Sequence, residues 1–203
     1  MSKTEATSNL PENVIIIDAE YIDNVAFNLS VNFERMLGRR IPKADLADWL
    51  DYIALDSGLK PNDEQSVLAI FIHKKGCPTL QNFTPSSLEE LNGKSFKDNM
   101  GEFTIESYPV EESVIDKQSH FIDTIDLIAN DSRVKKIMLV SDTETYGNTI
   151  PNSLNKCDKN VTTFVMEPII GHKHRQEILG YSLTCALGVR SEEFDNPPQY
   201  SKT

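Results

Sequence analysis

Uninterrupted apolar runs alternate with amphipathic stretches along this chain. Four runs, VIIID (14–18), SVLAIFIH (66–73), KIMLVSD (136–142) and TTFVME (162–167), are rich in β-branched residues and show little polar alternation. They predict strands covered on both faces, as in parallel sheets with helices above and below. A fifth stretch, FTIESYPV (103–110), alternates and carries Pro109, which predicts an edge position.

Helical patterns lie between these runs. A helix is expected to start near Ile22, after the first strand. In RIPKADLADWLDYIALDSG (40–58), Pro42 suits a first turn, Leu46, Trp49, Leu50 and Ile53 share a stripe, and Gly58 is a stop. SHFIDTIDLIAND (119–131) puts Phe121, Ile125 and Ile128 on one side, and RQEILGYSLTCALG (175–188) bands Ile178, Leu179, Leu183 and Leu187. IPNSLNKC (150–157) is a short, weak helical pattern, and the Pro-, Ser- and Asn-rich stretch 74–102 reads as a polar excursion. The expected architecture is α/β in three Rossmann-like layers: a central, mostly parallel five-stranded sheet with helices on both faces. One domain is expected over 13–190, with flexible tails at 1–12 and 191–203.

Composition changes this picture little. No apolar run approaches the roughly 20 residues of a membrane helix, and MSKTEATSNLPEN has no apolar core of a secretory signal. Cys77, Cys157 and Cys185 are scattered, which predicts reduced thiols in a cytoplasmic protein. The net charge of −11 opposes broad attraction to polyphosphate while leaving room for a local basic lip.

Chemistry concentrates at the strand ends. VIIID stops on Asp18 and KIMLVSD on Asp142, and each is followed two residues later by a glutamate, Glu20 or Glu144. In open α/β sheets, ligands collect beyond the carboxyl ends of the strands, so adjacency of the VIIID and KIMLVSD strands would crowd four carboxylates into one crevice. Hard oxygen ligands of this kind suit Mg²⁺ or Mn²⁺. Either aspartate is also well placed to cap the helix that follows it. Asp123, near the amino end of its helix, is a third acid that could face the same crevice or complement the helix dipole.

The order of these features resembles the NYN domain, a member of the PIN-like group of metal-dependent ribonucleases. IIIDAEY matches its first strand ending in Asp, FID its hydrophobic-Asp step opening a helix, VSDTETY its third acidic motif and TTFVM a further strand. The resemblance spans about residues 13–167. It implies that Asp18, Asp123 and Asp142 are Mg²⁺ or Mn²⁺ ligands, that Glu144 joins them in catalysis, and that a metal-activated water cleaves RNA. Tyr21 stands where the family has Asn, and the third motif fits only with its glycine deleted. Aligned without that gap, Thr143 and Thr145 occupy the acid positions.

Phosphate contact is expected of Arg39, Arg40 and Lys43, in the connection after the first helix. His172 and His174 alternate without a third ligand at a telling spacing, which argues against zinc. Two functions stay open. One is a Mg²⁺- or Mn²⁺-dependent endoribonuclease acting on RNA. The other is a catalytically inactive PIN-like module for protein interaction, nucleotide binding or self-association.

Overall fold

The structure, a computed structural model, describes residues 10–147, 149–155 and 157–195. Its first strand, β1 (Asn13–Asp18), shows why the apolar runs are interior. Val14 and Ile16 enter one hydrophobic core and Ile15 and Ile17 another, because successive side chains on a strand point to opposite faces. All four are fully buried, and burial of each such side chain contributes about 1.5–3 kcal/mol.

α1 (Ala19–Leu37) follows, capped at its start by Asp18 and ended by Gly38, whose φ of 63° suits the left-handed cap that glycine adopts without strain. A two-residue strand, β2 (Ala44–Asp45), leads into α2 (Leu46–Asp56). Pro42 therefore lies outside the helix it was expected to open. Asp45 caps α2 instead, accepting from the Asp48 N–H at 3.0 Å. β3 (Ser66–Lys74) is buried throughout its interior.

The polar excursion is structured. It holds β4 (Phe83–Thr84), which pairs with β2, the short helix α3 (Leu88–Leu91) and β5 (Lys94–Asp98). β6 (Gly101–Val110), α4 (Lys117–Asn130) and β7 (Lys136–Val140) follow. After them come α5 (Thr143–Tyr146), α6 (Thr149–Leu154), β8 (Asn160–Val165), β9 (Arg175–Ile178), α7 (Leu179–Ala186) and α8 (Glu192–Asp195).

The main sheet has seven strands where five were expected, in the order β5-β6-β3-β1-β7-β8-β9. All neighbours are parallel except β5 and β6. The two additional strands are both at edges. KSFKD is too charged to read as a strand, and only Phe96, stacked on Phe103 at 4.9 Å, anchors it. RQEI reads as the start of a helix, yet it pairs with β8 and presents charged residues on an open edge, as edge strands commonly do. β6 is consequently an interior strand. Its Pro109 is tolerated because β5 pairs only as far as Ile105, leaving the proline end free on that side.

Helices cover both faces. α1, α2 and α7 pack with Ile15, Ile17, Phe71 and Phe164, while α4 and α6 pack with Val14, Ile16, Leu68 and Leu139. The docked unit is wider than 13–190. Leu10 is buried in the second core, and the Glu12 carbonyl accepts from the N–H groups of Lys135 and Lys136. At the other end Phe194 packs on Phe33 at 5.8 Å. The outer parts of the expected tails, 1–9 and 196–203, lie outside the described residues.

Candidate functional site

The chain runs outward from β1 through β3 to β6, then returns by way of α4 to β7 and continues in the other direction through β8 to β9. Strand order therefore reverses between β1 and β7. A crevice opens at the carboxyl ends of strands flanking such a switch point. Ile17 pairs with Val140, so Asp18 stands level with Ser141 and Asp142 one step beyond. An open cleft of about 540 Å³ lies here, lined by Asp18, Glu20 and Tyr21 from the β1–α1 junction, Lys117 from α4, and Asp142 and Tyr146 from the segment after β7.

Asp18 is only 3% exposed, and its carboxylate is well supplied with donors. Oδ1 accepts from the Tyr21 N–H at 3.1 Å and from Lys117 Nζ at 2.6 Å. Oδ2 accepts from the Tyr146 hydroxyl at 2.8 Å. Lys117 Nζ also donates to Glu20, whose other oxygen accepts from the Lys74 N–H at 2.7 Å. Burial alone would depress the Lys117 ammonium, but the adjacent carboxylates of Asp18 and Glu20 outweigh it and hold its pKa above the usual lysine value. Lys117 is thus a cation held by two carboxylates at the head of the crevice.

Asp142 has a different task. Its Oδ1 accepts from the N–H groups of Glu144 and Thr145 at 3.0 and 3.1 Å, and its Oδ2 from the Thr145 hydroxyl at 2.6 Å. These bonds cap α5. Glu144 is exposed beside it. Both acids, with Asp18, act on Tyr21: burial first, then these three charges, push its phenol up to about 12. Burial and Asp18 likewise push the Tyr146 phenol well above its ordinary range, so it remains a donor to Asp18.

The remaining expected residues lie elsewhere. Asp123 is exposed on α4, six residues past Lys117, which places it about 9 Å further along the helix axis. The first turn of α4 reaches the cleft with Asp116, Lys117 and Gln118. Arg39 lies beyond the far end of α1, roughly 28 Å along its axis from Asp18. Its guanidinium forks onto Glu193 at 2.7 and 2.8 Å, and this pairing pulls the Glu193 carboxyl down to about 2. Arg40 is exposed, 3.8 Å from Glu34, and Lys43 is also exposed. None of the three lines the cleft.

The cations at the cleft are Lys74 and Lys117, which the sequence reading did not single out. Lys74 ends a strand beside β1, a position the strand-end argument could have reached. His73 is buried and bonded to the Ser107 hydroxyl at 2.9 Å, a structural role. His172 and His174 have ring centroids 6.0 Å apart, in the connection before β9.

A divalent ion does not fit the donor set as arranged. Asp18 and Asp142 emerge on neighbouring strands, but the oxygens of each are engaged by three donors and an ammonium bridges Asp18 to Glu20. Among the described residues, no group of three or more His, Cys, Asp or Glu side chains is placed to hold a metal ion.

Residues 7–194 match a family of unknown function, DUF6621. The chain belongs to DUF6621. The family span runs past both edges of the expected 13–190 domain, as the docking of Leu10 and Glu193 does. No curated protein and no solved structure matches this DUF6621 chain. No helix among its described residues is long and apolar enough to cross a membrane.

Proposed function

We propose that this DUF6621 protein is a PIN-like module that binds a protein partner at the carboxyl edge of its sheet and does not cleave phosphodiester bonds. The observation carrying this reading is the Lys117 ammonium, which bridges Asp18 and Glu20 at the switch point where a nuclease of this kind would hold its metal. The capping bonds of Asp142, the outward position of Asp123 and the distance of Arg39 from the cleft support it further. The acidic cleft lining also disfavours a polyphosphate ligand.

The metal-dependent endoribonuclease is the second reading. One observation favours it: Asp18 and Asp142 stand at the tips of adjacent strands, one residue out of level.

Thermal melting across millimolar Mn²⁺ and Mg²⁺, paired with a cleavage assay on labelled single-stranded RNA, separates the two. The binding-module reading expects an unchanged melting temperature and intact RNA. A Mn²⁺-dependent rise in melting temperature, absent from Asp18→Asn, together with cleaved RNA would establish the nuclease instead.

A further inference from the structure

A second groove adjoins the cleft and shares Glu20 and Asn24 with it. It lies between the first turns of α1 and residues 76–82 and encloses about 470 Å³. Ala19 and Leu80 are buried beneath it, while Phe27 and Pro78 form apolar sides. Phe27 is 51% exposed, unusual for a phenylalanine on a helix whose other face is packed. Val31, one turn further along α1, extends this apolar strip over the surface.

The charged side chains that line the groove have one sign. Glu20 and Asp23 line it, and no lysine or arginine does so among the described residues. Through Glu20 it opens onto the cleft, which adds Glu112, Asp116 and Asp142. Lys74, paired with Glu112, and Lys117, shared by Asp18 and Glu20, offset only part of this negative charge. Asn24 and Gln81 supply amides suited to the backbone of an extended chain.

We propose that this groove receives an extended basic segment of a partner protein, with an apolar side chain seated between Phe27 and Pro78 and flanking lysines or arginines facing Glu20, Asp23 and the acidic cleft. Apolar burial would supply the anchor, and charge complementarity would set the register and speed the encounter. The inference rests on the binding-module reading and specifies the partner's chemistry.

A phage-displayed random peptide library, selected on the immobilised full chain, tests it. Enriched peptides should carry lysine or arginine on both sides of a leucine, isoleucine, phenylalanine or methionine, and should lose affinity as salt rises. In fluorescence anisotropy with the best of these peptides, Phe27→Ser should weaken binding about tenfold, with an unchanged melting temperature. Asp23→Asn should weaken it about threefold, because asparagine keeps the bond from the Asn82 N–H and loses only the charge.

Failure to enrich any peptide, enrichment of acidic or wholly apolar peptides, or equal binding by both variants would overturn the inference. So would a wild-type dimer in light scattering that Phe27→Ser dissociates, since a second copy would then cover the groove. Any of these results leaves the Mn²⁺ and RNA measurements untouched. Mn²⁺-dependent RNA cleavage would remove the underlying reading independently of the peptide result.

Discussion

Lys117 Nζ lies 2.6 Å from Asp18 Oδ1, and the two side chains are 13% and 4% exposed. Removing one member of so enclosed a pair leaves the other charge buried and uncompensated, which is far costlier than losing a surface ion pair. Lys117→Met should therefore destabilise the fold by about 3 kcal/mol near neutral pH, measured by urea denaturation. The same variant frees Asp18 and Glu20 to face a cation. Millimolar Mn²⁺ should raise its melting temperature while leaving the wild type unmoved. A wild type that responds as strongly as the variant would show that Lys117 does not block a cation.

Tyr146 holds the opposite oxygen of Asp18. Its hydroxyl is buried and remains protonated because burial and the adjacent carboxylate both oppose ionisation. Tyr146→Phe keeps the ring packed on Phe121, at 4.9 Å between centroids, and deletes only the donor. The expected loss is about 1.5–2 kcal/mol, the scale of a hydrogen bond to a charged acceptor, read as a lower urea midpoint at unchanged slope.

A separate carboxyl pair gives the fold a pH dependence. Asp51, on α2, is pushed up to about 8, first by burial, then by its hydrogen bond to Asp98 and the charges of Asp98, Asp48 and Asp45. Unfolded, its pKa returns to about 4. The folded state thus binds the extra proton between these values. This contribution to stability is complete below about pH 4 and is lost as pH rises through about 8. Asp51→Asn mimics the protonated carboxyl and can still donate to Asp98. It should be more stable than the wild type at pH 8.5, with the difference shrinking progressively as pH falls toward about 4, in parallel urea titrations.

The parts of this molecule legible in its sequence are those set by burial alone. VIIID and KIMLVSD have no polar face to give to water, so each must be interior, and the positions of Asp18 and Asp142 at their ends follow. Their adjacency was conditional until the register of Ile17 with Val140 supplied it. Lys117 was not legible, because nothing local distinguishes DKQSH from an ordinary helix start. Its reach to Asp18, 99 residues away, depends on α4 carrying the chain back from β6 to β7. β5 and β9 escaped for the opposite reason. They are edge strands whose charged residues protect an open flank, so they lack the apolar signature by which interior strands are read. Arg39 was misplaced relative to the acids because the length of α1 was unknown, and that helix carries it to a pairing with Glu193.

Asp142 offers the sharpest separation between a ligand and a cap. If its charge held a divalent ion, Asp142→Asn would abolish any Mn²⁺ response while leaving the fold intact. As a cap, its essential feature is an acceptor oxygen directed at the N–H groups of Glu144 and Thr145, and asparagine retains that oxygen. Asp142→Asn should therefore melt within about 0.5 kcal/mol of the wild type, whereas Asp142→Ala should lose about 1 kcal/mol, typical of a deleted N-cap. The Lys117→Met background makes the comparison decisive. There the Mn²⁺ response should survive Asp142→Asn and vanish with Asp18→Asn, because the ammonium it replaces is held by Asp18 and Glu20 and not by Asp142. Loss of the response with Asp142→Asn in that background would return Asp142 to the ligand set and with it the nuclease reading.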